Sequence, residues 1–456
     1  MKSTSRNEAP VTGRNFTIPP VRRVLASASM GQFVEWYEFV IYAYSAAILA
    51  KLFFPSDDPV TGILSVFGVY AVGFLMRPLG GIVFGILGDR IGRRKLLVAV
   101  LLSMGAATTA IGLLPTYDQV GVLAPILLVL CRMVQGFSAA GETVGSNAFV
   151  AEHAPKNKRG LYVAFSFSFS TLPSVFAALF VLFLMNSMGP EVYENWGWRI
   201  AFLVGAPMAL VGLYIRSKVD ESPVFEAAQA AKAELAAAGA EAPALAPKVS
   251  SRPAIIQTVA LAALSSLAFY TLSGYMVTYL TSGAQLTTDQ ALISNGTALF
   301  FAFVSFWVGG ALSDRFGRKP ILFASIWGAI LLYLPAFWLA GLGMMWSAVL
   351  GQLIIAIVFG VFWGVFGVTA VELFPTRNRL SGATISWNMA YTVFGGTAPL
   401  LSTWLIAKTG LLIAPGIYMM IVAIVVLIVV RNMPETAGSS MLHAQDRAIK
   451  VPVKID

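Results

Sequence analysis

A few ionisable side chains stand inside stretches of this chain that are otherwise apolar, and their spacing is ordered. Glu35 and Glu38 are three residues apart, on one face of any helix that contains them. With Gln32, Tyr42 and Ser45 they form a polar stripe at steps of 3, 3, 4 and 3. Arg132, Gln135, Ser138, Glu142 and Ser146 make a second stripe at steps of 3, 3, 4 and 4. Arg77 stands alone, twelve residues before Asp89, which on a helix is roughly 18 Å. Each such charge costs about 2.5–3.5 kcal/mol at the centre of a bilayer, so it needs a partner or a purpose.

The chemistry open to these groups is anion binding and proton transfer. A guanidinium grips a carboxylate through two donors and keeps its proton. Arg77 and Arg132 are therefore candidate substrate ligands, with Gln135 beside Arg132 and with Arg199 a weaker candidate near the far face. A carboxyl group whose proton affinity follows its surroundings can couple a proton to a cargo, and Glu35, Glu38 and Glu142 are the candidates. The competing possibility is that these Glu and Arg residues only hold the first, second and fourth spans together. In the second half of the chain the polar options are Tyr270, Tyr275, Tyr279, Asn295, Asn388 and Tyr391. They could orient a carboxylate or amine by hydrogen bonds, or simply pack.

The elements that position these residues follow from composition. Of 456 residues 57% are hydrophobic and 12% charged, against about 25% charged in soluble domains. The mean hydropathy is +0.76. A soluble enzyme and a disordered chain are both excluded. Windows of about 20 apolar residues place spans near 26–54, 61–88, 96–114, 120–150, 161–186, 198–215, 255–282, 289–312, 321–340, 345–373, 381–407 and 411–430. The expected fold is all-α, with twelve transmembrane helices in two pseudo-symmetric six-helix bundles. The expected layout is a tail over 1–25, bundles over 26–216 and 254–430, a linker over 217–253 and a second tail over 431–456.

Charge placement gives an orientation. The net charge of +9 could suggest nucleic acid, but 26 of the 31 lysines and arginines fall on the side that carries both termini and the even-numbered connections. That is the positive-inside pattern, with both termini cytoplasmic, so no nucleic-acid partner is expected. The N-terminal stretch lacks an apolar core followed by a cleavage site, so the first span is expected to direct its own insertion. A lone cysteine, Cys131, and two histidines, His153 and His443, leave no metal cluster. No cofactor is expected. A search for Ser/His/Asp sets, H-E-x-x-H and the phosphate loop G-x-x-x-x-G-K-[ST] finds none, which argues against a membrane enzyme or a nucleotide-driven pump.

Two motifs recur at half-chain distance. Gly85-x-x-x-Asp89-Arg90-x-Gly92-Arg93-Arg94 returns as Gly310-x-x-x-Asp314-Arg315-x-Gly317-Arg318-Lys319, 225 residues on. Glu152-x-x-Pro155-x-x-x-Arg159 returns as Glu372-x-x-Pro375-x-x-x-Arg379, 220 residues on. Duplicated halves of this kind place a substrate site near the midplane between them. The acidic and basic members sit at helix ends and would form a cytoplasmic clamp of salt bridges, closed when the protein opens outward.

The first loop motif resembles the signature of the major facilitator superfamily. A narrower likeness rests on Gly31-Gln-Phe-Val-Glu35-Trp-Tyr-Glu38, Arg77-Pro-Leu-Gly-Gly81, Arg132-Met-Val-Gln-Gly-Phe137, Gly141-Glu142, Glu152-His-Ala-Pro155, Trp198-Arg-Ile200, Glu372-Leu-Phe-Pro-Thr376 and Gly395-Gly-Thr-Ala-Pro399. Together these are similar to the metabolite:proton symporter family, whose members carry carboxylates or zwitterions such as proline and betaine. The family usually has Asp where Glu38 stands, and glutamines where this chain reads Phe165-Ser-Phe-Ser-Phe-Ser-Thr171.

What the resemblance implies is a multi-pass protein of the bacterial cytoplasmic membrane, surrounded by lipid and complete as a monomer. It would take up a small organic acid with protons by alternating access. A proline or betaine symporter is the alternative; the tail Pro434–Asp456 lacks the heptads of an osmosensing coiled coil, which counts against it. A drug:proton antiporter is further off, since the fifth span reads STLPSVFAALF.

Overall fold

A computed structural model describes residues 21–91, 93–217, 252–374 and 379–438. The first span is Val21–Tyr44, continued by Ala46–Phe53. The second is Pro59–Ile91 and the third Arg93–Leu113. The fourth comes in pieces, Leu123–Ser138, a 3₁₀ turn at Ala139–Gly141, and Glu142–His153. The fifth joins Arg159–Ser168 to Leu172–Met188, and the sixth joins Trp198–Leu203 to Gly205–Ser217. The seventh begins as Arg252–Tyr270 and then passes through π turns at Thr271–Tyr275 and Tyr279–Gly283. The eighth, ninth and tenth are Thr288–Phe316, Arg318–Ala340 and Met345–Glu372. The eleventh is Arg379–Ala390, a π turn at Tyr391–Gly395, and Ala398–Thr409; the twelfth is Ala414–Val430. Most of the proposed linker 217–253 and most of both tails lie outside the described residues.

Local chemistry explains the starts and breaks. Asp58 accepts from the backbone N–H of Val60 and Thr61 and so caps the second span. Thr287 and Gln290 bond to each other's backbone and cap the eighth. Pro173 sits in the first turn of the second piece of the fifth span, where a missing N–H costs least. Among the described residues, eight helical stretches are long and apolar enough to cross a bilayer. Val98–Leu113 and Ala414–Val430 are shorter apolar helices. Leu75, Phe183, Leu331 and Ile428 are each more than half exposed on the outer faces, as side chains that meet lipid would be.

Each half packs first on itself, the second span against the fourth and the eighth against the tenth. Backbones touch at the first of these: a Cβ on Gly136 would run into the Gly73 carbonyl, and one on Gly80 into the Phe137 carbonyl. Between halves, the fifth span lies along the eighth and tenth, the second along the eleventh, and the first along the seventh. The site residues sit on spans that meet at this seam, the fourth among them, since its Glu142–His153 piece packs on the tenth and eleventh. The end holding the repeated loop motifs is called the basic end below.

Candidate functional site

Glu38 and Arg132 are both buried, at 1% and 0% exposure. Arg132 donates to Gln135 at 2.7 Å, and Gln135 passes the chain on to Thr108 at 2.6 Å. The 3-residue step of the fourth span makes the first of these bonds local. The rest of the Arg132 guanidinium lies over aromatic faces, 4.3 Å from the Tyr42 centroid and 4.8 Å from that of Tyr70. Its Nε and Nη2 have no hydrogen-bond partner, and neither do both carboxylate oxygens of Glu38. Glu38 has Arg132, Thr108 and Glu35 as its polar neighbours.

Arg77, 2% exposed, stacks on Phe74 and Phe39 at 4.5 and 4.6 Å. Its Nε and Nη2 are likewise unpaired. Pro78, inside the same helix, removes a backbone donor one residue later. Arg77 lines a small space of ≈ 10 Å³, room for about one water, together with Ala139, Ala140, Thr143, Val144, Trp387 and Asn388. The 3₁₀ turn of the fourth span forms one wall. Thr143 donates to the Glu35 carboxylate at 3.1 Å, which brings Glu35 to the same wall. From the eleventh span, Asn388 donates to the Ala140 carbonyl at 2.7 Å, and Thr392 to the Phe74 carbonyl at 2.9 Å.

The second half contributes rings. Trp36, from the first half, lies 4.6 Å from Phe269, 5.8 Å from Tyr270, 6.0 Å from Trp363 and 6.5 Å from Tyr391. Tyr391 shares a hydrogen bond of 3.2 Å with Ser265, to which Trp363 also donates, while the Tyr270 hydroxyl is unpaired. Both tyrosines flank π turns, irregularities that recur at functional sites.

At the basic end the halves are locked. Arg159 of the first half reaches Glu372 of the second at 3.1 Å, both almost fully buried. Arg318 holds the same carboxylate at 3.2 Å and Asp314 at 2.7 Å. Asp314 in turn accepts the backbone N–H of Gly160 and Leu161, each at 2.8 Å. At the opposite end Tyr44 donates to Asn295 across the seam at 2.6 Å, and Asn295 holds Gln352 at 2.8 Å. Contacts thus cross the seam at both ends.

The structure gathers Arg77, Glu35, Asn388 and, one ring behind, Tyr391 and Tyr270 around one space, with Glu38, Arg132 and Gln135 in an adjoining buried cluster. Arg159, Asp314, Arg318 and Glu372 come together as one lock. The side chains of Glu142, Asp89, Arg93, Glu152 and Arg379 lie outside the described residues. Asn295 belongs to the end closure, away from the cavity. Arg199 donates to the Gly112 and Leu114 carbonyls at 3.2 and 2.7 Å, ending the third span.

Sequence reasoning missed Trp36, Trp387, Thr143, Glu435 and Thr436. Trp36 lies between the two paired glutamates, and that position was its one signal. Glu435 accepts the N–H of Arg318 and Lys319 at 2.8 and 3.0 Å, and Thr436 donates to Glu372 at 2.9 Å.

Comparison with known proteins gives a consistent result. The profile of the Major Facilitator Superfamily matches residues 28–386. The proline/betaine transporter of Escherichia coli (strain K12) is 35% identical over 450 residues, 96% of this chain and 89% of that protein. The glycine betaine/proline/ectoine/pipecolic acid transporter OusA of Dickeya dadantii (strain 3937) is 33% identical over 436 residues, 94% of this chain and 86% of that one. Among solved structures, a D-xylose-proton symporter superposes with a TM-score of 0.73 at 19% identity, covering 92% of this chain and 99% of its own, a likeness of fold.

Proposed function

The chain belongs to the Major Facilitator Superfamily, as a transporter and not an enzyme, and from that premise we propose that it takes up a small zwitterion of the proline or betaine kind together with protons. The observation that carries this reading is the small space between the halves, lined by Arg77, with two unpaired nitrogens, and by Trp387 and Asn388. The free donors of Arg77 suit a carboxylate, and the space, with room for about one water here, would have to widen to admit a cargo. The relatives' printed names favour such a cargo over the plain organic acid expected from the arginines alone. The missing heptads bore on osmosensing, which is regulation, and leave the cargo untouched.

Burying an ionised carboxylate with no donor is expensive. Glu38, buried beside Arg132 and Thr108, is the carboxyl group assigned the transported proton, with Arg132 supported by Gln135 and by rings. Opening to the cytoplasm would let Glu38 lose the proton and pair with Arg132. In the proposed orientation the basic end is cytoplasmic, in a bacterial inner membrane. Arg159, Asp314, Arg318 and Glu372 form the inner gate, with Asp89, Arg93, Glu152 and Arg379 as its remaining members, and Glu142 completes the polar stripe of the fourth span.

The test is uptake into proteoliposomes under an imposed inward proton gradient, with proline, betaine, ectoine, 2-oxoglutarate and citrate offered separately. Gradient-dependent accumulation of a zwitterion is expected. Glu38→Gln should retain exchange of labelled for unlabelled cargo and lose gradient-driven accumulation, whereas Arg77→Ala should lose both. Accumulation of the acids alone would reinstate the carboxylate reading.

A further inference from the structure

Between the lock at the basic end and the Arg77 site, the first, fourth, fifth and tenth spans change character turn by turn. Val163 stands four residues beyond Arg159, and Val368 four residues before Glu372. With Val24, Ala28, Val150 and Ala151 they pack as an aliphatic cluster of their own, apart from the main core. One further turn towards the site brings Gln32 on the first span, Asn147 on the fourth and Ser166 on the fifth. These pieces of the three spans pack on one another, and the three side chains are buried, at 0%, 1% and 0% exposure. The next turn of the first and fourth spans carries Glu35 and Thr143, which already belong to the site.

This polar layer is unsatisfied. Both amide atoms of Asn147, Nε2 of Gln32 and the Ser166 hydroxyl have no hydrogen-bond partner among the described residues. Gln32 uses only its oxygen, which accepts from Trp36 at 2.9 Å. Buried polar groups are paired in the great majority of cases, and each one left unmet costs free energy. Asn147 also lies at the seam. A Cβ on Gly367 of the tenth span would stand 3.4 Å from its Nδ2, so an amide of the first half rests against the backbone of the second. Parting of the halves at the basic end would uncover it.

We propose that Asn147, with Gln32 and Ser166, is a second cargo station, lying between Arg77 and the basic end and used as cargo passes that end. Its ligand is the carboxylate of a small solute. The two amides and the hydroxyl supply donors, and the Asn147 oxygen accepts an N–H where the cargo brings one. Neutral donors hold a carboxylate less strongly than a guanidinium does, which suits a point of release. The inference rests on the transport of a carboxylate-bearing cargo proposed above, and it holds for a zwitterion and a plain acid alike.

The experiment uses the full chain, with labelled proline as the probe, or whichever of betaine, ectoine, 2-oxoglutarate and citrate accumulates in its place. Asn147→Leu approximately keeps the shape of the side chain and removes both unmet groups. It should raise Tm in detergent and yet raise KM at the face carrying the basic end by roughly tenfold, the weight of a hydrogen bond to a charged group, with KM at the opposite face changed less than about twofold. A gain in Tm with both KM values unmoved would overturn the proposal, and so would an equal rise at the two faces. The thiol of Asn147→Cys, in a Cys131→Ser background, gives a readout that does not need the leucine variant to fold. A charged maleimide should reach it in membrane vesicles only from the face carrying the basic end. Saturating probe should slow that labelling both with Arg77 intact and in Arg77→Ala. Protection that vanishes with Arg77→Ala would leave cargo at Arg77 alone, overturning the station and sparing the cargo reading. Should none of these solutes enter proteoliposomes, the cargo reading fails and the station with it.

Discussion

Thr436 donates a hydrogen bond to Glu372 at 2.9 Å, and so a residue beyond the last span grips the carboxylate that ties the two halves together. Glu372 has Arg159 from one half and Arg318 from the other, all three nearly without exposure. Removing one member of a buried pair costs about 3–5 kcal/mol, because the other charge stays buried and alone. Glu372→Gln should therefore destabilise the state closed at the basic end. Thr436→Val, which deletes one hydrogen bond, should do so by about 1 kcal/mol. Labelling of a Leu161→Cys thiol in a Cys131→Ser background would report the opening, with the rate rising strongly in the first variant and modestly in the second. Equal rates in all three proteins would refute the lock.

Glu435 lends the same segment a pH dependence. Its partial burial would raise its carboxyl, but the backbone N–H groups of Ala437, Arg318, Lys319 and Thr436 outweigh that and hold it below the usual glutamate range. A depressed value in the folded protein contributes stability above the unfolded value, near about 4.3, and loses it as pH falls through the folded one. The difference in Tm between the unaltered protein and Glu435→Ala should thus be full at neutral pH and shrink below about pH 4. A difference that grows on acidification would contradict the assignment.

Glycines provide a test of the seam between the second and fourth spans. Gly136→Ala must push a methyl into the Gly73 carbonyl, an overpacking that costs about 1–3 kcal/mol. Gly145, on the next piece of the fourth span, has nothing within 4 Å of its missing Cβ. Gly145→Ala should be neutral or stabilising by about 0.5–1 kcal/mol, since a helix prefers alanine. Thermal unfolding in detergent separates the two, and matching shifts would mean that the close approach carries no weight.

Hydropathy alone placed all twelve spans to within a few residues, because a bilayer demands length and apolarity and little else. The recurrence of Asp89 as Asp314 and of Glu152 as Glu372 suggested a clamp, and Asp314, Arg318 and Glu372 lie together. Arg132 and Gln135, placed on one polar stripe by their three-residue step, bond to each other. Depth and partner were harder to see. Asn295 looked like a cargo ligand by residue type, yet its position near the start of the eighth span puts it at the end closure. The π turns at Thr271–Tyr275 and Tyr391–Gly395 follow from packing between helices, which a single chain's pattern does not display. Trp387 was passed over because an aromatic in an apolar run is ordinarily core, and only the cavity beside it marks this one out. Glu435 and Thr436 were read with the tail, since nothing in six residues reveals what they dock on.

The closure at the opposite end hangs on Tyr44 and Asn295, 251 residues apart in sequence. Asn295 is fully buried and also supports Gln352 and the Leu272 carbonyl, so its partners are fixed by the second half alone. Tyr44→Phe keeps the ring and removes only the donor, which leaves a buried amide oxygen one bond short at a cost of about 1–3 kcal/mol. That cost falls on the states closed at this end and not on the state open there. The variant should therefore shift the population towards opening opposite the basic end, the reverse of Thr436→Val. Distances between a spin label on each half at that end, read by pulsed electron resonance, should lengthen in Tyr44→Phe and shorten when Thr436→Val favours the other opening. Combining the two changes should restore the balance, because penalties on opposite closures offset one another while both tax the occluded state. A double variant that stays as open as Tyr44→Phe alone would show that the two ends are not coupled through one rocking seam.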